Sequence, residues 1–251
     1  MEPINMEQEQ IKAAEVGRQD FPYIQENLEA VVRNIRAAER EAGRPMGEVR
    51  LLAAVKSADT AEINYLTQTL GVRCIGENRV QQLLSRYDAL EKDGVEIHFI
   101  GSLQKNKVKY IIDKVAAIHS VDSLSLAEEI NKRAGAIGKR MDVFVEINSG
   151  REENKGGILP EDAPEFCRSI AALPHLNLVG LMTMAPHVED PAEYHVYFSE
   201  TRILAQQIFR EILGREEPPV LSMGMSESYR EAALEGASIV RVGRQLFQKP
   251  E

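Results

Sequence analysis

Leu51-Leu52-Ala53-Ala54-Val55-Lys56-Ser57 is the stretch on which the reading of the fold turns. It is a short apolar run closed by a lysine and a serine. Seven further runs of the same kind follow it: Val72–Ile75, Ile97–Ile100, Ala116–His119, Val143–Ile147, Leu178–Met182, Val220–Leu221 and Ser238–Val242, with the first extending over Val49–Val55. Several are rich in Val and Ile and end in polar residues or glycine. That pattern suits strands buried on both faces.

Between the runs the apolar residues recur at helical spacing. The stretches are Asp59–Leu70, Asn78–Leu90, Gln104–Ile112, Ser123–Gly138, Pro160–Leu173, Pro191–Leu213 and Ser226–Glu235, and one additional helix, Tyr23–Ala42, precedes the first run. Asp59 and Ser123 stand where N-caps belong, and Gly138 where a helix ends. Eight strands alternating with helices is the arithmetic of a single (β/α)8 TIM-type barrel, with Tyr23–Ala42 as an extra N-terminal helix. An open doubly wound sheet alternates in the same way; the strand count favours the barrel. In a barrel the chemistry sits where strands end and loops begin, at the C-terminal face.

Composition is consistent with this and excludes some functions. The 251 residues carry 43% hydrophobic and 27% charged side chains and a net charge of -9. No basic footprint for nucleic acid stands out, and no apolar run is long enough to span a bilayer. Residues 1–20 read as a polar N-terminal extension without the apolar segment of a secretory signal, ahead of a barrel domain over residues 21–251. Cys74 and Cys167 have no metal-type spacing and read as free buried thiols. A cytoplasmic monomer with no metal site is expected.

Lys56 closes the first run, at the mouth of the expected barrel. Apolar walls there would desolvate its ammonium and lower its pKa. The neutral amine could then attack an aldehyde. The ordinary alternative is a lysine reaching from a strand end into solvent. Ser222-Met223-Gly224-Met225-Ser226 and Val240-Arg241-Val242-Gly243-Arg244 lie after the seventh run and at the end of the eighth. Loops in those places commonly cradle phosphate in this barrel class, through backbone amides, hydroxyls and a helix N-terminus. A plain loop-to-helix turn capped by Ser226 uses the same atoms, so spacing leaves both open.

Taken in order, these segments resemble the pyridoxal-phosphate homeostasis protein family, whose fold is like the N-terminal barrel domain of alanine racemases. The matching residues are Ala54-Val55-Lys56, Gly76-Glu77-Asn78-Arg79-Val80-Gln81, His98-Phe99-Ile100-Gly101-Ser102-Leu103-Gln104-Lys105-Asn106-Lys107, His119-Ser120-Val121-Asp122-Ser123, Gly180-Leu181-Met182-Thr183-Met184, Leu221-Ser222-Met223-Gly224-Met225-Ser226 and Val240-Arg241-Val242-Gly243. Each motif alone is weak; the ordered set is specific.

The resemblance implies pyridoxal 5′-phosphate (PLP) as cofactor, held covalently by Lys56 as a Schiff base. It implies Ser222 and the Gly243 amide at the phosphate, Arg241 at the pyridine nitrogen, Asn78 beside the ring and Met182 in the wall beneath it. An arginine does not readily release a proton, so the ring nitrogen stays unprotonated and the ring is a modest electron sink. Arg244 stands where the family usually has Thr, which removes a hydroxyl ligand and adds a charge. The segment Asn148–Gly157 also departs from the usual serine-rich form, keeping Lys155-Gly156-Gly157.

The function so implied is buffering of PLP and its delivery to apo-enzymes, with no catalytic residue of its own. The alternative is a weak amino-acid racemase. Two-base racemization needs a proton acceptor on each face of the substrate carbon. In alanine racemases the second base comes from a separate β-domain, which is not expected in a sequence that ends at Glu251. Nothing in the sequence puts Tyr194, Tyr197, Tyr229 or His195 opposite Lys56. A cofactor-free Schiff-base aldolase is a third reading, although its lysine usually sits on a later strand.

Overall fold

The computed structural model describes residues 20–250, so of the expected N-terminal extension only Asp20 falls within it. Among the described residues eight parallel strands close on themselves in sequence order: β1 (Arg50–Ala54), β2 (Cys74–Glu77), β3 (Glu96–Phe99), β4 (Ala117–Val121), β5 (Met141–Ile147), β6 (Leu176–Thr183), β7 (Val220–Met223) and β8 (Ile239–Val242). Closure is made by β8 against β1, with Leu52 opposite Arg241. The barrel expected from the strand count is therefore the fold, and the open sheet is ruled out.

Alternation along each strand sorts the side chains. One phase, which includes Ala53, Ile75, Phe99, Val143, Val145, Leu221, Val240 and Val242, joins the outer core beneath the helices. Leu52, Ala54, Cys74, Ala117, Phe144, Met182 and Ile239 form a second cluster inside the barrel. His98, His119, Glu146, Ser222 and Arg241 share that inward phase and are buried. The interior is thus apolar in part and crossed by polar groups.

The helices are α1 (Pro22–Glu41), α2 (Thr60–Asn64), α3 (Val80–Arg86), α4 (Leu124–Ala136), α5 (Ala163–Ala171), α6 (Tyr194–Gln206) and α7 (Tyr229–Leu234). α2 and α6 each run on into a π-helical turn, Tyr65–Thr69 and Gln207–Ile212. Asp59 caps α2 as its position suggested. Its carboxylate accepts from the Glu62 amide at 2.9 Å while Glu62 accepts from the Asp59 amide at 2.8 Å, a reciprocal capping box. The first helix, expected over Tyr23–Ala42, buries Ile24, Val31, Ile35 and Ala38 along one side and meets α7, where Asn34 donates to the Tyr229 hydroxyl at 2.8 Å. Buried Glu39 at its end accepts from the amides of Gly47 and Val49, which steers the chain into β1.

Two local expectations are corrected. Gln104–Ile112 makes only a 3-10 turn over Lys105–Tyr110. The helix after β7 begins at Tyr229 with Ser228 in the N-cap position, so Ser226 is not its cap.

Gly180 on β6 shows how tightly the strands meet. A Cβ there would lie 1.7 Å from the Val220 carbonyl oxygen, which is backbone and cannot swing away. Gly180→Ala is expected to cost at least ~1–3 kcal/mol, the usual range for overpacking. Urea unfolding of the variant beside the wild type measures it; equal midpoints would contradict the close approach of β6 and β7.

Candidate functional site

A cleft of about 290 Å³ opens at the C-terminal end of the barrel. Ala54, Lys56, Asn78 and Ile100 reach it from the first three strands and the loops after them, and Met225, Ser226, Arg241, Gly243 and Arg244 from the last two. The inward phase of β1 explains the first of these: Leu52, Ala54 and Lys56 alternate toward the axis, and Lys56 is the member that clears the packed layer. The inward phase of β2 carries Gly76 and then Asn78 to the same level.

The Lys56 backbone is clamped. Gln82 donates to the Lys56 carbonyl at 2.8 Å, and Arg86 donates to the carbonyls of Val55 (3.2 Å) and Ala58 (3.0 Å) on either side. Arg86 in turn bonds buried Glu77 at 2.6 Å. Burial pushes the Glu77 carboxyl up and Arg86 opposes it. Removing one member of so buried a pair would strand the other. The expectation that apolar walls desolvate Lys56 is not met, because its side chain is exposed. It stands two residues beyond the last β1 position, above the layer that Ala54 and Ile100 fill.

Arg241 is the opposite case. Its side chain is buried under the cleft and still lines it. Nη1 donates to the Ser222 carbonyl (2.6 Å) and hydroxyl (2.8 Å), and Nη2 to the Thr183 carbonyl (2.9 Å). These three bonds leave N–H groups of the guanidinium for the cleft. Burial lowers its pKa to about 10, against the attraction of Glu146, so it remains a cation at neutral pH.

Two expected site residues lie elsewhere. Ser222 is fully buried inside the barrel, its hydroxyl engaged by Arg241 and by His119 Nδ1 at 2.9 Å, and it does not line the cleft. Met182 is its neighbour on β6 and lies in the same inner cluster, also off the cleft. Both follow from strand phase: they point to the axis one layer below the mouth. The serine that does line the cleft is Ser226, four residues later, whose Oγ lies 3.4 Å from the Gly243 amide. Ser228 joins it and accepts from the Met225 amide at 3.2 Å. Gly243 has to be glycine here, because a Cβ would meet the Ala54 carbonyl oxygen at 2.5 Å where β8 closes on β1.

Asn78 and Arg244 both line the cleft. The Asn78 Oδ1 is buried and has no hydrogen-bond partner among the described residues. Arg244 stands at the exposed rim, 77% accessible, and pairs with Glu227 at 2.5 Å. Met184, His187, Tyr194 and Lys155 also line the cleft. Of these, Met184 belongs to a motif already singled out, and Lys155 to the retained Lys-x-Gly core. Tyr194 and His187 carry no local signal; the fold alone brings them in.

The arrangement combines a reachable primary amine, a buried cation at the floor, and a small nest of hydroxyl and amide donors beside a positive rim. It can take a small anionic carbonyl compound with its anion at Ser226 and Gly243 and its reactive carbon toward Lys56.

The family model described as the alanine racemase N-terminal domain matches residues 27–249. A pyridoxal phosphate homeostasis protein of Aquifex aeolicus is 42% identical over 222 residues, which is 88% of this chain and 96% of that protein. The protein of the same name from Deinococcus radiodurans is 39% identical over 88% of this chain and 99% of its own length. Among solved structures, PipY of Synechococcus elongatus with PLP bound aligns at a TM-score of 0.73 and 30% identity, over 86% of this chain and 99% of that one. An alanine racemase of Clostridium difficile shares the fold at a TM-score of 0.70 and 16% identity, with 58% of its chain covered.

One buried acid inside the barrel is titratable near neutrality. Glu146 points inward from β5, and burial, reinforced by the charge of Asp122 and opposed by Arg241, raises its pKa to about 7. The folded protein therefore holds this proton more tightly than the unfolded chain. The associated stability is complete below the unfolded value near 4.5 and is lost as pH rises through about 7. Glu146→Gln is expected to remove that dependence and to gain stability relative to the wild type at pH 8, on the order of 3 kcal/mol. Chemical denaturation across this pH range tests it; parallel curves for the two proteins would contradict it.

Proposed function

The chain belongs to the alanine racemase N-terminal-domain family and, within it, to the pyridoxal phosphate homeostasis proteins, and on that premise we propose that it holds PLP at the barrel mouth through Lys56 and buffers and delivers it. The observation that carries the reading is the meeting of the Lys56 amine, the Arg241 guanidinium and the Ser226–Gly243 nest in one small cleft. The donor set fits the cofactor's three polar ends: an aldehyde, a ring nitrogen and a phosphate. The unpartnered Asn78 Oδ1 and the glycine-only approach at Gly243 are further marks of a cleft shaped for an occupant.

When bound, the cofactor supplies an aldehyde that an amine can capture and a ring that accepts electron density. Lys56 presents the amine for a Schiff base, and its solvent-open position suits exchange with other amines as well as capture. Ser226 donates its hydroxyl proton to the phosphate, and the Gly243 amide, whose bond to Ser226 Oγ is long at 3.4 Å, stands beside it as the second donor. This moves the phosphate role from Ser222, whose hydroxyl is already committed inside the barrel. Arg241 donates to the ring nitrogen and keeps a proton off it. Arg244 adds positive charge at the rim, tempered by Glu227. Met184 takes the place in the wall that the resemblance assigned to Met182.

Carriage suits this chain better than turnover. As a carrier it would release its cargo to apo PLP-dependent enzymes. Among the described residues no helix is long and apolar enough to cross a membrane. A weak racemase reading has one observation in its favour: Tyr194, which carries a hydroxyl, lines the same cleft as Lys56. Incubation with L-alanine and a chiral assay separates the two, and sustained turnover would favour the enzyme.

Purified protein given PLP is expected to turn yellow, and Lys56→Ala to lose that colour; borohydride reduction should add the cofactor's mass at Lys56. A colourless wild type sinks the reading. Ser226→Ala is expected to weaken PLP retention by roughly 1–3 kcal/mol, the range for a hydrogen bond to a charged group. Equilibrium dialysis measures it, and unaltered retention would remove Ser226 from the phosphate.

A further inference from the structure

A single file of polar side chains runs through the barrel from its N-terminal end to the cleft. Glu96 opens β3, and its Oε2 accepts from Arg50 at 2.6 Å. The same oxygen lies 3.3 Å from His98 Nε2. His98 Nδ1 is 2.9 Å from His119 Nε2, and His119 Nδ1 is 2.9 Å from Ser222 Oγ. Ser222 Oγ then meets Arg241 Nη1 at 2.8 Å. The four inner members are buried and come from β3, β4, β7 and β8.

Both ends dictate the direction of these bonds. Arginine has donors only, so the Ser222 oxygen must accept from Arg241, and its own proton is free for His119 Nδ1. At the far end burial would raise the Glu96 carboxyl, but Arg50 and His98 hold it below the usual carboxylate range. It is therefore an acceptor, and His98 Nε2 carries the hydrogen. His98 Nδ1 then offers a lone pair to His119 Nε2–H, which leaves His119 Nδ1 to accept from Ser222. The assignments from the two ends agree, and each imidazole is the neutral Nε2–H tautomer. Burial, together with the nearby positive charges of Arg241 and Arg50, keeps a proton off His119, and burial does the same for His98.

We propose that His119 is a positioning residue for Arg241. By taking the Ser222 proton it turns the Ser222 lone pairs to the guanidinium, and so sets the orientation that Arg241 presents at the cleft floor. The file ends at a group that has no acceptor, so it is a strut and not a proton relay into the cleft. The consequence for the cofactor rests on the reading of this cleft as a PLP site; the tautomers and the orientation do not. A cation shared by Cys74, Glu96 and His98, whose ligand atoms lie within 4.8 Å of one another, is a weaker candidate, because Arg50 already supplies positive charge to Glu96. A packing role alone would be served by any side chain of similar volume, such as leucine beside Phe144, whose ring centroid is 4.0 Å from that of His119.

The test has two arms. In cofactor-free wild type, ring 15N NMR of assigned histidines should find His98 and His119 as neutral Nε2–H tautomers from about pH 6 to 8, the range in which a free imidazole changes charge. An Nδ1–H tautomer or an imidazolium at His119 overturns the proposal, whether or not PLP binds. In PLP-loaded protein, His119→Leu should shift the visible absorbance maximum and speed cofactor release by roughly tenfold or more, the size of one lost charge-assisted bond. His119→Asn, which keeps an acceptor near the Nδ1 position, should restore both toward wild type. A folded His119→Leu protein with the wild-type spectrum and release rate overturns the proposal and leaves the carrier reading standing. If His119→Leu does not fold, the tautomer and the His119→Asn spectrum decide. A wild type that never binds PLP removes the carrier reading while the tautomer arm still decides the strut.

Discussion

Strand alternation in a closed barrel is the constraint from which the site follows. With helices outside and an axis within, every second side chain has only the interior to enter. Leu52, Ala54 and Lys56 are one such series, and Ser222 and Arg241 belong to two others. Position along a series then separates floor from mouth. Earlier members such as Leu52 and Ser222 pack into the interior, and the last ones, Ala54 with Lys56 and Arg241 with Gly243, reach the cleft. One geometric rule thus puts a lysine in the open and a serine out of reach.

The interior bears a cost that the helix-facing side does not. Arg241 is a buried cation, and among the described residues no carboxylate lies within ion-pairing distance of it. Three oxygen acceptors hold it, with Glu146 adding a more distant attraction. Leaving such a group without acceptors would be far more costly than packing an apolar side chain in its place. The polar residues below it, Ser222, His119 and His98, are the means by which a largely apolar barrel tolerates it.

The exposed Lys56 and the buried Arg241 divide the work of the site. The first is held by its backbone, through Gln82 and Arg86, and leaves its amine exposed to solvent. The second is buried and held through its side chain by three hydrogen bonds. A carrier of the kind proposed would use both: a seat that recognises the cargo, and an attachment point that other amines can approach. Rigid support under a solvent-open amine suits reversible capture.

The sequence by itself determined the eight strands, their order and the identity of the residues near the mouth, because Val- and Ile-rich runs at regular spacing can be buried on both faces in few other ways. It also singled out Lys56, Asn78, Arg241 and Gly243, each at or just past a strand end. It could not separate Ser222 from Ser226, since both lie in one five-residue motif and a cap, a core hydroxyl and an anion ligand use the same atoms. Nor could it show that Lys56 is exposed, which depends on how far the neighbouring strands rise around it. His98 and His119 stand on separate strands, and their contact with each other and with Ser222 exists only once the barrel closes and brings β3, β4 and β7 to a common axis. Tertiary structure alone decided those contacts, because they depend on distances across the barrel that no spacing along the chain encodes.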